Sequence, residues 1–305
     1  MVYLVSHTWA NRFEKGRRRA TIEAYSNCDS VLLYNDLTNE KATFLGRKKN
    51  NGTGTHFMWE NRDIRYNVLR AVGYYKGKPV AEDLILLNGL EQAPNFELLY
   101  QDDKKILKGE AGYNYLYRLN CGGDDYTDSF GQLWLQDNTN YSRSWAENFK
   151  DLNPYLASQR TTNDPIHGTR DWTLFQHFRF GRHQLEYRFP VADGTYRIEL
   201  YFTEPWHGTG GSASADCEGL RIFDVAVNDS VVLDDLDIWA ESGHDGVCKK
   251  VVYAIVKGGM LKIHFPEVKA GQALISGIAI ASTDQELKPT VFPCLLYTSP
   301  SPRDS

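Results

Sequence analysis

The sequence has no long hydrophobic run. None of its segments approaches the about 18–20 consecutive apolar residues that a membrane-spanning helix needs. It also has little positive charge, because the formal net charge is -5 and the one basic run, at residues 15–19, is short and mixed with glycine. The sequence therefore predicts neither a membrane span nor a nucleic-acid partner.

Cysteine is scarce and irregularly placed. The cysteines show no CxxC pair and no metal-type spacing, and they occupy positions 28, 121, 217, 248 and 294. Their odd number neither establishes nor excludes an oxidising compartment. A signal peptide is also missing, because Met1 leads directly into a strand-like stretch. We interpret Met1 as an internal methionine of a longer protein, which leaves the localisation unknown.

Catalytic signatures are missing as well. No G-x-S-x-G motif occurs, and no repeated strand–helix unit indicates a barrel enzyme. Glycoside hydrolysis needs two carboxylates about 5–9.5 Å apart, for which Glu204 and the DDLD segment at 234–237 are candidates. That segment follows a strand, where clustered carboxylates usually solvate a turn or accept backbone N–H groups. We therefore predict no catalytic residue.

Metal-ligand spacing is not visible either. His244 and Asp245 are adjacent, but the sequence shows no third ligand beside them. We therefore predict no metal site and no cofactor. The alternative is a structural Ca²⁺ held by loop carboxylates and carbonyls, because sites made only of oxygen leave no spacing signature.

Aromatic residues are abundant, at 13% of the chain with seven Trp and 18 Tyr. This composition is typical of β-sandwiches and of sites for sugars, whose C–H faces lie on rings. Short alternating segments between turn residues predict strands in residues 1–93, at 2–8, 19–25, 30–34, 42–45, 56–59, 64–75 and 79–87. The sequence thus predicts an all-β protein that opens with an immunoglobulin-like β-sandwich.

A second, larger sandwich of jelly-roll type is predicted for residues 106–282, after a linker at 94–105. Its strands are expected at 113–119, 174–180, 183–189, 195–202, 220–228, 230–233, 249–256, 260–265 and 273–281. The stretch 138–169 alternates little, and loops of that length are often functional. Residues 283–305 lose the periodicity, and we expect a tail that is disordered or, at CLLYTSPSPRDS, a sequencing artefact.

The first candidate binding segment, YNYLYRLNCGGDDYTDSF, occupies residues 113–130. A strand stops and turns through paired glycines into an acidic loop, whose candidate residues are Asn120, Gly122, Gly123, Asp124, Asp125 and Tyr126. Polar groups and a ring at a strand end form a binding edge. The alternative is a solvated acidic turn.

The second candidate segment, FTEPWHGTGG, occupies residues 202–211 and contains Glu204, Trp206 and His207. The glycines that follow permit a ligand to approach closely, and they make burial of Trp206 unfavourable. We expect Trp206 to form an exposed platform, with core packing as the alternative.

These motifs resemble the malectin family. The resemblance covers about residues 106–282 and rests on RLNCGG (118–123), FTEPW (202–206), FDVAVNDSVVLDDLDIW (223–239) and GHDG (243–246). It implies a β-sandwich that binds carbohydrate, with Trp206 and His207 aligned to the sugar-contacting aromatics. It adds Tyr126 and Tyr155 as candidate contacts. His207 replaces an aromatic residue, and no acid stands near Ala270, so the resemblance does not carry the family's sugar specificity to this chain.

Residues 1–93 resemble the β-sandwich that follows the catalytic barrel in bacterial glycoside hydrolase family 2 enzymes, especially β-galactosidases. The resemblance rests on VYLVSHTW (2–9), AYSNCDS (24–30) and YNVLRAVGYYKGKPVAED (66–83). It implies a periplasmic or extracellular parent enzyme whose catalytic carboxylates lie on an upstream barrel, so that this chain is a C-terminal fragment.

We interpret the chain as a non-catalytic carbohydrate-binding fragment whose partners are an oligosaccharide or polysaccharide and the upstream catalytic domain. Ring faces would stack on the sugar, and Asn120, Asp124, Asp125 and Glu204 would accept hydrogen bonds from its hydroxyls. Two alternatives stay open. The sandwiches could brace the parent enzyme or its oligomer, or the fragment could itself be a glycosidase.

Overall fold

The computed structural model describes residues 1–13, 18–52, 56–137, 159–181, 185–208 and 216–289. Helices in these ranges are short: two α-helices, α1 (Trp172–Gln176) and α2 (Ile238–Ser242), and two 3-10 helices, Lys41–Thr43 and Phe96–Tyr100. Within the described ranges no helix has the length and apolar character needed to cross a membrane. The remaining regular structure is strand, and the predicted all-β class is confirmed.

The N-terminal part forms two facing sheets. Its strands are β1 (Val2–Val5), β2 (Arg19–Ser26), β3 (Ser30–Tyr34), β4 (Phe44–Lys49), β5 (His56–Asp63), β6 (Val68–Tyr75) and β7 (Lys78–Leu86). One sheet has the order β1-β2-β5 and the other β4-β3-β6-β7. Alternating apolar residues from both sheets, such as Ile22, Trp59 and Leu33, are fully buried between them.

The C-terminal part contains the other strands. They are β8 (Asn114–Cys121), β9 (Tyr126–Thr127), β10 (Leu133–Asp137), β11 (Gln159–Thr161), β12 (His177–Gly181), β13 (Glu186–Pro190), β14 (Gly194–Phe202), β15 (Ile222–Val227), β16 (Ser230–Leu236), β17 (Cys248–Val256), β18 (Met260–His264), β19 (Val268–Ala270), β20 (Ala273–Ile275) and β21 (Gly277–Ser282). Three sheets result, ordered β17-β14-β21-β8-β10-β9, β13-β18-β15-β16 with β19 on β15, and β11-β12-β20. The first two enclose the main core.

Several predicted elements differ from the structure. The strand expected at 174–180 begins only at His177, because the preceding residues form α1, whose Trp172, Leu174 and Phe175 are buried. In such a short apolar run, strand and helix periodicities are hard to distinguish. Residues 283–289 of the expected tail lie against β8, where Asn114 Nδ2 donates to the Leu287 carbonyl at 2.8 Å. Most of the long stretch at 138–169, residues 183 and 184 of the strand expected at 183–189, and the remainder of the tail lie outside the described residues.

The two parts contact each other through a third apolar cluster. The segment expected as a linker, 94–105, contains the 3-10 helix, whose Phe96 and Tyr100 rings pack on Trp172 with centroids 5.9 and 5.0 Å away. Polar contacts also cross the junction, because His7 bonds to Asp164. The domain boundaries themselves stay a prediction.

Candidate functional site

The two candidate segments leave the same edge of one sheet. Strands β8 and β14 lie on either side of β21, and both are antiparallel to it, so they run parallel to each other. Asn120 and Tyr201, near their ends, are both paired with Gly277. Because neighbouring strands lie about 4.8 Å apart, the two ends are separated by about 10 Å.

Strand β12 lies beside both segments. At Gly122, φ is +78° and an added Cβ would lie only 2.9 Å from the Phe178 carbonyl oxygen, so only glycine fits this approach. The Trp206 indole meets the Phe178 and Phe180 rings edge to face, with centroids 5.3 and 5.1 Å apart. The acidic loop and the indole therefore share one neighbouring strand.

Glu204 is fully buried rather than turned to solvent. Its carboxylate pairs with the equally buried Arg221 guanidinium, which bonds to both of its oxygens. The same carboxylate accepts the backbone N–H groups of Trp206 at 3.0 Å and His207 at 3.1 Å. The structure thus places Glu204 as the anchor of the turn, and the expected role as an acceptor of sugar hydroxyls needs correction.

Trp206 is 36% exposed, so it is not part of the core. The Arg221 guanidinium carbon lies 5.0 Å from its ring centroid, and the Arg160 guanidinium carbon lies 5.8 Å from the ring of Phe180. Sequence analysis missed Phe178, Phe180 and both arginines. The phenylalanines carry only the alternation signal of ordinary core residues, and Arg221 is 17 positions from its partner Glu204.

Asn120 is also buried. Its side-chain nitrogen donates to the Asp124 carbonyl at 2.8 Å and closes the loop, and its Oδ1 is without a partner among the described residues. A Cβ on Gly123 would clash with this side chain at 2.3 Å. Asn120 therefore shapes the loop from below, and the hydroxyl-accepting role expected for it needs the same correction as that of Glu204.

The other residues of the acidic loop divide into exposed and inward-facing groups. Asp124 and Asp125 are exposed, and Asp125 accepts the Gln136 backbone N–H at 2.8 Å. The Tyr126 hydroxyl donates to Asp171 at 2.8 Å, and burial together with this bond raises the pKa of Tyr126. Of the candidate residues at this edge, three are exposed: Asp124, Asp125 and Trp206. His207 is partly exposed. Tyr155 lies outside the described residues.

A fully buried ion pair lies beneath the edge. Arg179 of β12 bonds to Asp137 of β10 at 2.7 Å, and the Tyr187 hydroxyl donates to the same carboxylate at 3.1 Å. Asp137 pairs with Cys121 of β8 in the strand register. Its carboxylate therefore links this end of the sheet to Arg179 of β12.

The DDLD segment has structural partners, as the sequence predicted for clustered carboxylates. Asp237 accepts the Ala240 N–H at 3.0 Å at the start of α2, and Asp235 pairs with Lys269. His244 and Asp245, in contrast, lie close to Asp164, a third potential ligand that was not visible in the sequence.

Comparisons with known proteins agree with this architecture. The family described as a domain of unknown function (DUF4982) matches residues 17–81. Malectin of Danio rerio is 25% identical over 166 residues, which cover 52% of this chain and 52% of that protein. Malectin of Mus musculus is 26% identical over 149 residues, covering 48% of this chain and 45% of that protein. The chain thus spans about half the length of the curated relatives it matches.

Two solved structures align with this chain at low similarity. A beta-glucuronidase of Bacteroides uniformis aligns with a TM-score of 0.43 and 23% identity, covering 92% of this chain and 30% of that chain. The ANX2 ectodomain of Arabidopsis thaliana aligns with a TM-score of 0.44 and 14% identity, covering 88% and 82%. At these values neither likeness extends to activity.

A second domain family matches more of the chain. The Malectin domain matches residues 115–286, which is more than half of the chain and includes residues 115–130 of the first candidate segment and all of the second. The resemblance expected from the sequence motifs is confirmed, and the chain belongs to the malectin family.

Proposed function

We propose that this chain binds carbohydrate without catalysis. The binding site would be the edge formed by the acidic loop, residues 122–128 (loop 122–128), and Trp206. The observation that carries the proposal is the exposed Trp206 indole, held on a buried Glu204–Arg221 pair at the same sheet edge as the exposed residues Asp124 and Asp125. A sugar presents an apolar C–H face and a polar rim, which match an aromatic ring flanked by hydrogen-bond acceptors.

The non-catalytic role is supported by what the candidate carboxylates do. Glu204 is buried and paired with Arg221, and Asp237 accepts the backbone N–H groups of Ala240, at the start of α2, and of Gly219. A general acid or base must reach its substrate within hydrogen-bond distance. The fully buried Glu204 does not satisfy this condition, which favours binding over glycosidase activity at this turn.

The resemblance of residues 1–93 supports a wider proposal, that the chain is the C-terminal part of a glycoside hydrolase of β-galactosidase type. In such a protein the binding module would be tethered to an upstream catalytic domain. Tethering raises the effective concentration of substrate at the catalytic domain without any new contact. Weak single-site binding, with a Kd on the order of 10 µM to 1 mM, would then be sufficient.

The test is a tryptophan-fluorescence titration of the full chain with a panel of gluco- and galacto-oligosaccharides. We expect a saturable change in the unmodified protein and in Trp9→Ala, a matched control that removes a tryptophan 62% exposed in the N-terminal part. Trp206→Ala should lose the change. A response that persists in Trp206→Ala would contradict the proposed site.

A structural role is the second candidate, favoured by the apolar cluster and the His7–Asp164 bond that join the two parts. It predicts that the folded chain responds to no sugar of the panel. Turnover of a nitrophenyl galactoside by the purified chain would contradict both candidates.

A further inference from the structure

A compact group of ligand atoms lies beside the turn that carries Trp206. Oxygen and nitrogen atoms of Asp164, His244 and Asp245 all lie within 4.8 Å of one another. Asp164 follows β11, whereas His244 and Asp245 lie between α2 and β17, so the group forms only in the folded chain.

Backbone hydrogen bonds hold these segments in place. The Asp245 N–H donates to the Glu204 carbonyl at 2.9 Å, and the His167 N–H donates to the Asp245 carbonyl at 2.8 Å. Two isolated β-bridges, between Glu204 and His244 and between His167 and Gly246, continue this pairing. The backbone from which the His244 and Asp245 side chains project is therefore held in place by main-chain hydrogen bonds.

The geometry also determines which nitrogen of His244 is available. Its Nδ1 lies 3.1 Å from the Glu204 carbonyl oxygen, which can only accept, so Nδ1 carries a proton. In the neutral ring Nε2 then has a lone pair, and it faces Asp245 Oδ2 at 3.0 Å. A ring oriented in this way by a backbone carbonyl is the usual arrangement of a metal-binding histidine.

Asp245 supplies an independent observation. Its side chain is 6% exposed, and its second carboxylate oxygen, Oδ1, is buried without a hydrogen-bond partner among the described residues. Such a buried acceptor is costly unless a cation or donor satisfies it. Asp164 offers a further oxygen, because among the described residues the hydrogen bond recorded for its Oδ2 is a 3.5 Å contact with the Thr162 hydroxyl.

We propose that Asp164, His244 and Asp245 form a binding site for a divalent transition-metal ion of the Zn²⁺ or Mn²⁺ class. One imidazole and two carboxylates suit these ions better than Ca²⁺, which prefers oxygen ligands alone. His7 acts on the site indirectly: its Nδ1 bonds to Asp164 Oδ1 at 2.5 Å and its Nε2 to Asp83 at 3.0 Å. His7 is thus a positioning residue that connects the metal site with the N-terminal part.

The test is isothermal titration calorimetry of the chelator-treated full chain with Zn²⁺. It is repeated with Mn²⁺, because cysteine thiolates elsewhere in the chain bind Mn²⁺ far less than Zn²⁺. We expect one site per chain for both ions and a metal-dependent rise in Tm, since a ligand that binds only the folded state stabilises it. Asp245→Asn and His244→Gln should each weaken binding by at least about 100-fold. Asp235→Asn, in the mainly exposed trio with Asp224 and Asp234, should leave it unchanged.

Two results would overturn the proposal. One is that the folded, unmodified chain gives neither heat of binding nor a change in Tm with either ion. His244 and Asp245 would then form only an imidazolium–carboxylate ion pair. The other is unaltered affinity in both Asp245→Asn and His244→Gln, because the bound ion would then lie elsewhere. Circular dichroism without metal establishes that each variant is folded. The metal-dependent change in the Tm of the unmodified chain tests the site independently of the variants.

Discussion

His7 Nδ1 lies 2.5 Å from Asp164 Oδ1, and this bond joins the loop after the first strand to a loop 157 residues later. Asp83 holds the other ring nitrogen at 3.0 Å. Burial alone would lower the pKa of His7, but hydrogen bonds and charge from the two carboxylates outweigh it and raise the pKa to about 10. The ring is thus an imidazolium at neutral pH, shared between the N-terminal and C-terminal parts.

We predict that His7→Gln destabilises the chain by about 2–3 kcal/mol, because each charge-assisted hydrogen bond contributes about 1.5–3 kcal/mol and glutamine can replace only part of them. The matched control is His56→Gln, whose partner Glu23 is equally exposed at 39%. An exposed pair contributes less than about 1 kcal/mol. Urea unfolding of both variants measures the difference, and equal losses would contradict a special role for His7.

We predict that Glu204→Gln lowers the free energy of unfolding by about 3–5 kcal/mol, because it leaves the buried Arg221 charge without its partner. It should also weaken the sugar response although Trp206 is still present, because the side chain that accepts the N–H groups of Trp206 and His207 is no longer held by the charge of Arg221. Urea unfolding and the fluorescence titration measure the two effects. A stable variant with unaltered affinity would mean that the pair does not position the turn.

Gly122→Ala tests the close approach between loop 122–128 and β12. The control is Gly131→Ala, because Gly131 has nearly the same φ, +77° against +78°, but no atom within 4 Å of an added Cβ. Both variants carry the left-handed backbone cost of about 1–2 kcal/mol. Gly122→Ala adds the contact with the Phe178 carbonyl, for which we expect about 1–3 kcal/mol more. Thermal unfolding compares them, and identical Tm values would show that β12 can move away freely.

Glu199 provides a pH-dependent prediction. Burial would raise the pKa of this carboxyl, but the Tyr201 hydroxyl at 2.5 Å and the charges of Lys249 and Arg197 outweigh it and lower the pKa below its ordinary value of 4.5. Because the pKa is lower in the folded state, the ionised carboxyl stabilises the fold at pH values above its ordinary pKa. This stabilisation is lost as the pH falls through the pKa of the folded state.

Glu199→Gln removes this titrating group. The unmodified chain should therefore be more stable than the variant at neutral pH, and the difference should shrink as the pH falls below about 4.5. Urea unfolding at a series of pH values measures it. A difference that stays constant or grows in acid would refute the assigned direction.

Much of the fold was predictable because its signals are local. Alternating apolar residues and turn residues identified most strands, and the FDVAVNDSVVLDDLDIW pattern by itself indicated the family. Local pattern failed at α1, where a short apolar run around Leu174 fits both helix and strand. It also missed β9, which has only two residues.

The sequence by itself determined the all-β class, the two candidate binding segments and the position of Trp206 at a strand end. Only the tertiary structure decided that Glu204 faces Arg221 rather than solvent, and that Asp164 completes a group with His244 and Asp245. The physical reason is distance along the chain. Alternation and turn chemistry act between near neighbours, whereas a buried charge takes its partner from whichever strand the folded sheets bring beside it.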